Sequence, residues 1–369
     1  MRAAVMTAYD EPLVLEDLER DPLGPHDVAV RVDASGVCHS DLTILTGGLP
    51  FPPPAVLGHE AAGTVLETGD QVTRVRPGDR VIASFVPLCG ECWNCVRGRG
   101  QFCRRAFGVS VARRWRRPDG ALTLAMSGLG AFAEEMAVHE WSLVKVDTDL
   151  PAEQLALIGC GVATGVGAAL NTARVRPGST VAVIGCGGVG QFVVQGARIA
   201  GASRIIAVDP VAFKREKALA LGATDAIDPG LDGPQATVND LTAGRGVDYA
   251  FDVVGLPATI LAAYDVVRAG GTAVIVGMPR QDETVTFPAS ALYAREKRLV
   301  GCFYGSSQVR RDFPLLVSLV ETGRLDIAAT VTRRLPLADV NAAFDAMQAG
   351  ESIRSVLVPD AARPMGAVA

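Results

Sequence analysis

Residues 180–190 read Thr-Val-Ala-Val-Ile-Gly-Cys-Gly-Gly-Val-Gly, and this stretch decides the fold. A strand-forming run ends in a G-x-G-x-x-G turn (Gly185, Gly187, Gly190), and helix-compatible residues follow from Gln191. Glycines so placed allow a tight turn and let backbone N–H groups approach a pyrophosphate at the positive end of a helix. The next apolar run, RIIAVD, ends in Asp209. An acid about twenty residues beyond the glycines accepts hydrogen bonds from an adenosine ribose, and its charge repels a 2′-phosphate. The pattern therefore predicts NAD(H) rather than NADP(H), bound by Gly185, Gly187, Gly188, Val189, Gly190 and Asp209. Lys214 is a further candidate beside the ribose, its plainer alternative being a solvated helix lysine.

Outward from this turn the rhythm continues as AFKREKALALG, VDYAFDVVG, PATILAAYDVVRAG and GTAVIVG. Continuous apolar strands joined by helices imply a buried parallel sheet with right-handed crossovers. The first 150 residues differ: VAVRVDASGV (28–37), HEAAGTVLETG (59–69) and DRVIASFV (79–86) are short strands punctuated by RPGD and GLPFPPP. They predict a β-rich, barrel-like domain. After Gly301 the pattern is mixed again, through DFPLLVSLVETGRL, NAAFDAMQAGE and the strand IRSVLVP, and AARPMGAVA reads as a frayed end.

The chain has 369 residues, 49% of them hydrophobic and 20% charged, which suits two domains and excludes a disordered chain. Its 40 glycines lack a G-X-Y period, so collagen is excluded. A net charge of −5 and the lack of a reader motif exclude nucleic acid as a partner. The arginines at 97, 99, 104, 105, 113, 114, 116 and 117, with no acid among them, form a locally positive stretch. It reads either as a solvated loop or as a field that attracts an anionic substrate. The opening MRAAVMTAYDEP carries no long apolar run, and the longest such run, near 181–200, is broken by glycines. A cytoplasmic location and no membrane partner are expected.

Eight cysteines in a reducing compartment point to metal rather than disulfides. Cys89, Cys92, Cys95 and Cys103 form C-x2-C-x2-C-x7-C. Four close thiolates can wrap one zinc and shut out water, which makes a structural site. Cys38, His59 and Cys160 lie in GVCHSD, GHEAAG and GCGVATG, with Asp41 and Glu60 beside two of them. Two cysteines and one histidine leave the fourth zinc position open, as catalytic zinc requires. Cys186 and Cys302 have no such neighbours and read as core thiols.

Together GVCHSDL, GHEAAGTVLETG, the four-cysteine lobe, GCGVATGVG, VIGCGGVG and ESIRSVL resemble the zinc-dependent medium-chain alcohol dehydrogenases over nearly the whole chain. The resemblance implies an α/β architecture with a GroES-like catalytic domain, residues 1–160 plus 303–369, split around a Rossmann domain, residues 161–302. It implies two zinc ions per chain, an alcohol or aldehyde substrate, hydride transfer between a substrate on the catalytic zinc and the nicotinamide, and a homodimer or homotetramer pairing along the strand around Leu299 to Tyr304. It places Ser40 on the substrate oxygen at the start of a proton relay. Asp41 would orient His59, Glu60 would sit behind the metal, Thr164 and Val189 would pack on the nicotinamide, Phe85 would wall the pocket, and His39 and Arg354 would contact the pyrophosphate. Thr43 stands where many members finish the relay with a histidine, and a threonine hydroxyl is no base near neutral pH. VIGCGGVG, RIIAVD and RDFPLL also resemble the mycothiol-dependent formaldehyde dehydrogenase branch. A zinc-stabilised NAD-binding module without turnover is the alternative of another class, opposed by the intact Cys38, His59 and Cys160 set.

Overall fold

Alternate residues of the strand that precedes the glycine turn are buried on opposite sides. Val181 and Val183 join a core with Ile205, Ala207, Phe251 and Val274. Ala182 and Ile184 join another with Ile206, Val208, Ala250 and Ala273. A strand with period-two geometry and both faces buried must be apolar throughout, which accounts for the unbroken run in the sequence. The computed structural model describes residues 1–110, 113–230 and 233–359, giving only the backbone of Phe107, Arg113 and Arg114. The expectation of a frayed end at 361–369 lies outside the described residues.

The parallel sheet runs in the order Asp225–Ile227, Arg204–Val208, Thr180–Ile184, Val247–Asp252, Val267–Ile275, Arg298–Gly301. The chain divides into two compact units. The first holds Met1–Cys160, Val309–Val317 and Val331–Ala369; the second holds Gly161–Gln308 and Ser318–Thr330. The expected return to the first unit at 303 differs from this division in two places. Residues 304–307 stay with the second unit: Ser307 Oγ donates to Ala163 O at 3.3 Å, and Thr172 Oγ1 and Ser306 Oγ are 2.8 Å apart. Residues 318–330 rejoin it because Gln195 Nε2 donates to Asp326 O at 2.9 Å while Asp326 N donates to Gln195 Oε1 at 2.7 Å. These ties are long-range, so local pattern did not announce them.

The first unit contains two sheets. One carries Leu143–Lys145, Arg80–Ala83, Glu60–Thr68, Asp27–Val37, Arg354–Leu357 and Val331–Leu335 in that order, with Glu135–His139 also paired to Asp27–Val37. The other runs Val14–Asp17, Arg2–Met6, Ala55–Val56, Leu122–Ala125, Arg113–Arg116, Glu19–Arg20. Ser355 pairs antiparallel with Val37, and Val340, Ala343 and Phe344 share a core with Ala3, Val5 and Met6. The unit is thus built from both ends of the chain. The apolar segment Ala152–Ala173, rather than the run near 181–200, is long and apolar enough to cross a membrane, but its most apolar window is 78% buried in the fold, as a core helix is.

At the turn itself Gly185 has φ +91°, and a β-carbon on Gly190 would stand 1.9 Å from Gly185 O. Gly190→Ala is expected to destabilise the protein by roughly 1–3 kcal/mol through overpacking. Urea unfolding measures this, and a loss below about 0.5 kcal/mol would contradict the close approach.

Candidate functional site

The helix His39–Leu45 begins at Cys38, whose extended backbone (φ −123°, ψ 155°) makes it the N-cap. Three residues on, the buried carboxylate of Asp41 accepts from Cys38 N at 2.9 Å through Oδ2, and through Oδ1 from Gly58 N at 3.1 Å and His59 Nδ1 at 2.9 Å. Because a carboxylate only accepts, Nδ1 of His59 carries a proton, and Nε2 is the nitrogen left to face a metal. Nε2 lies 3.3 Å from Ser40 Oγ, which also donates to Cys38 Sγ at 3.3 Å. Gly58 has φ +90°, and a β-carbon there would meet Phe132 at 2.6 Å, so the turn that delivers His59 needs glycine. The Phe85 ring stands edge-on to His59, with centroids 5.5 Å apart.

Cys160 arrives on a π-helical turn, Ile158–Val162, that follows the helix Ala152–Leu157. Such turns insert an extra residue and are frequent at functional sites. Gly159 lets it approach closely, since a β-carbon there would be 2.7 Å from Ala83 O. The ligand atoms of Cys38, His59, Glu60 and Cys160 all lie within 4.8 Å of one another, and all four residues are buried. The carboxylate of Glu60 thus stands beside the three expected ligands. Arg354 joins the same cluster. Its guanidinium is buried in an ion pair with Glu60, while its Nε has no partner. Its neighbour Ser355 pairs with Val37, the residue before Cys38, and this pairing across the chain is not visible in IRSVLVP.

The charges interlock. Hydrogen bonding from Cys160 holds Cys38 well below the usual thiol range, while Cys160 is pushed well above it by that same bond and by burial. Burial opposes the charged form of His59, but Asp41 outweighs it and holds the imidazole well above its usual value. Burial pushes Glu60 up to about 7, with Arg354 pulling the other way. Two thiols that divide one proton between them are a set that a divalent cation suits, because it allows both to ionise.

In the second cluster the sulfurs of Cys92 and Cys95 are 3.5 Å apart, Cys103 and Cys89 3.6 Å, Cys89 and Cys95 3.9 Å, and Cys92 and Cys103 4.0 Å. A tetrahedron with metal–sulfur bonds of ~2.3 Å has edges of ~3.8 Å, so the four sulfurs fit a zinc ion. Backbone N–H groups of Glu91 and Cys92 donate to Cys89 Sγ at 3.4 and 3.3 Å. Backbone donors at Cys95 and Arg104 draw Cys92 down to about 6, whereas burial pushes Cys95 up to about 12.

At the glycine turn, Gly187 caps the helix Gly188–Ile199, and a β-carbon on it would meet nothing within 4 Å. That open space beside helix N–H groups fits a phosphate. Asp209 accepts from Cys186 N and Val211 N, each at 2.8 Å, and its carboxylate retains further lone pairs for a ribose. Gln191, which the sequence did not single out, ties the turn to the next helix by donating to Cys186 O at 2.8 Å and Lys214 O at 2.9 Å. Val189, Thr164 and Lys214 are half-buried in the second unit. His39 is exposed, and Thr43 Oγ1 donates to His39 O at 3.0 Å. Cys186 is fully buried as expected, whereas Cys302 is only half-buried and accepts from Thr172 Oγ1 at 3.3 Å. In the Arg-rich stretch Arg105 pairs with Glu91 at 3.0 Å, Arg116 with Asp21 at 2.6 Å and Arg117 with Glu16 at 2.6 Å. Acids outside the stretch thus meet three of its arginines. The side chains of Arg113 and Arg114 lie outside the described part.

Two family descriptions match this chain: alcohol dehydrogenase GroES-like domain over residues 24–148 and zinc-binding dehydrogenase over residues 188–322. The chain is 38% identical over 371 residues to the NDMA-dependent alcohol dehydrogenase of Amycolatopsis methanolica, covering 98% of this chain and 99% of that protein. An alcohol dehydrogenase zinc-binding domain protein from Burkholderia ambifaria superposes with a TM-score of 0.92 at 34% identity, covering 97% and 98% of the two chains. The benzyl alcohol dehydrogenase of Acinetobacter calcoaceticus superposes with a TM-score of 0.90 at 31% identity, covering 97% and 99%.

Asp41→Asn keeps the shape of the side chain but removes the charge that three N–H donors share. Zinc affinity of the Cys38 set is expected to fall by about 10–100-fold, as for other groups that orient a metal-binding histidine. Competition with a metal indicator measures it, and unchanged affinity would contradict the role.

Proposed function

This chain belongs to the zinc-dependent medium-chain alcohol dehydrogenases, and on that premise we propose that it is an NAD-dependent oxidoreductase interconverting alcohols and aldehydes. The observation that carries the reading is the buried set Cys38, His59, Glu60 and Cys160, with its ligand atoms within 4.8 Å of one another and His59 locked by Asp41. Zinc held by Cys38, His59 and Cys160 would supply Lewis acidity toward a substrate oxygen, and a nicotinamide cofactor the acceptor or donor of hydride.

The chain's own groups prepare that chemistry. Asp41 fixes the tautomer of His59 so that Nε2 faces the set. Glu60 has two stations, the fourth corner of the set and the Arg354 guanidinium, so withdrawing toward Arg354 would free that corner for a substrate oxygen. Ser40, half-exposed and 3.3 Å from His59 Nε2, is positioned to take a proton from the substrate hydroxyl. Thr43 does not extend this route, because its hydroxyl is committed to the His39 carbonyl. The proton therefore passes from Ser40 to solvent. Asp209 and the open space at Gly187 support NAD over NADP. With Arg354 buried against Glu60, His39 remains the exposed candidate for the pyrophosphate. The edge position of Arg298–Gly301 and the exposure of Leu299 and Phe303 support pairing of copies along that strand.

A second reading is favoured by the relative from Amycolatopsis methanolica, whose name states NDMA dependence: turnover with NAD alone would then be poor. The resemblance to mycothiol-dependent formaldehyde dehydrogenases adds a thiol requirement as a third arm. The test is a panel of aliphatic and benzylic alcohols and aldehydes with NAD or NADP, run with and without NDMA and with and without a low-molecular-weight thiol. Turnover of simple alcohols with NAD and no additive is expected. Strict dependence on NDMA or on thiol would select one of the other readings. Cys160→Ser should lower kcat/KM by at least about 1000-fold while the four-cysteine zinc remains. Retained activity would refute the metal-centred mechanism.

A further inference from the structure

We infer that Arg310 is the cationic partner of the four-cysteine lobe and protects its metal against loss, although it lies far along the chain from every cysteine of that set. The inference rests on the reading of the lobe as a zinc site. Arg310 is the second residue of the helix Val309–Glu321 and belongs to the same compact unit as the lobe. Its guanidinium donates through Nη2 to the carbonyl of Leu88, immediately before Cys89. Its Nη1 lies 2.9 Å from where a β-carbon on Gly90 would stand, immediately after Cys89. The planar fork therefore spans the backbone on both sides of one ligand, a reach that a single ammonium lacks.

Charge supplies the second line of argument. Burial and repulsion from Arg74 both disfavour the Arg310 cation, and the groups that favour it, once ionised, are Cys95, Cys89 and Cys103. Among the described residues no carboxylate pairs with Arg310, and the neighbouring Arg74 is directed to Glu140 at 4.0 Å. A half-buried guanidinium with no carboxylate is costly unless another anion faces it. Four thiolates around one zinc ion carry a formal charge of about −2 in a site closed to water. Lobe and arginine thus compensate each other. The lobe loses an unbalanced negative charge that would favour thiol protonation and metal escape.

The test uses the full-length, zinc-loaded protein and its Arg310→Gln and Arg310→Lys variants. Zinc per chain is counted by mass spectrometry, and release to a chromogenic chelator is followed over time. Two zinc ions per chain are expected in the wild type. Arg310→Gln should release one of them about 10-fold faster or more, with the other unchanged. Arg310→Lys, which keeps the charge but not the fork, should release it at a rate between those of wild type and Arg310→Gln. Added salt should speed the wild-type release by screening and leave Arg310→Gln nearly flat. Wild-type release from Arg310→Gln would overturn the inference, as would Arg310→Lys failing as badly as Arg310→Gln. Should Arg310→Gln not fold, the salt series on the wild type decides, because a rate indifferent to salt also overturns it. A wild type holding one zinc per chain defeats the zinc reading of the lobe itself, whereas two ions with unaltered release defeat the role of Arg310 alone.

Discussion

A single buried carboxylate, that of Asp41, holds the site together. Taking a charged group out of water is expensive unless every lone pair it needs is met, and Asp41 meets the cost with three N–H donors from two places in the chain. One donor caps the helix that presents Cys38, another fixes the turn at Gly58, and the third aligns His59. Removing the carboxylate would release a ligand, a glycine turn and a histidine tautomer together. The cysteine from the π-helical turn at 158–162 then completes the set.

Electrostatic balance extends that logic to the rest of the first unit. Each cluster of sulfurs faces an arginine that the chain contributes late: Arg354 from a strand paired with Val37, and Arg310 from the helix Val309–Glu321. Neither metal set is therefore complete until the chain has passed through the second unit and returned. The split of the first unit around the second is in this sense a chemical arrangement as well as a topological one. In the second unit the same economy of space operates through glycines: Gly190 packs on Gly185 O, while Gly187 leaves its flank open.

What the sequence made legible was chemistry that demands short spacing. The turn at 185–190 needs its glycines in fixed order, and C-x2-C-x2-C-x7-C can wrap one ion only if the cysteines are close along the chain. The set around Cys38 was readable as a candidate from the glycine-flanked contexts of its members, and the family resemblance gave it roles, although its extremes lie more than a hundred residues apart. Partner choice across the fold was not readable. Nothing in IRSVLVP announced that Arg354 pairs with Glu60, almost three hundred residues earlier. Arg116 and Arg117 looked like part of an uncompensated field, yet Asp21 and Glu16 meet them from far earlier in the chain. The return of 318–330 to the second unit depends on Gln195, a helix residue with nothing in its neighbourhood to mark it.

The central claim is that two separate metal centres are built into one unit, one shut by four sulfurs and one completed by Cys38, His59 and Cys160. Anomalous diffraction on either side of the zinc absorption edge tests it most directly. The account predicts two peaks per chain, one among Cys89, Cys92, Cys95 and Cys103 and one among Cys38, His59 and Cys160. A catalytically active crystal form with no peak among Cys38, His59 and Cys160 would contradict it.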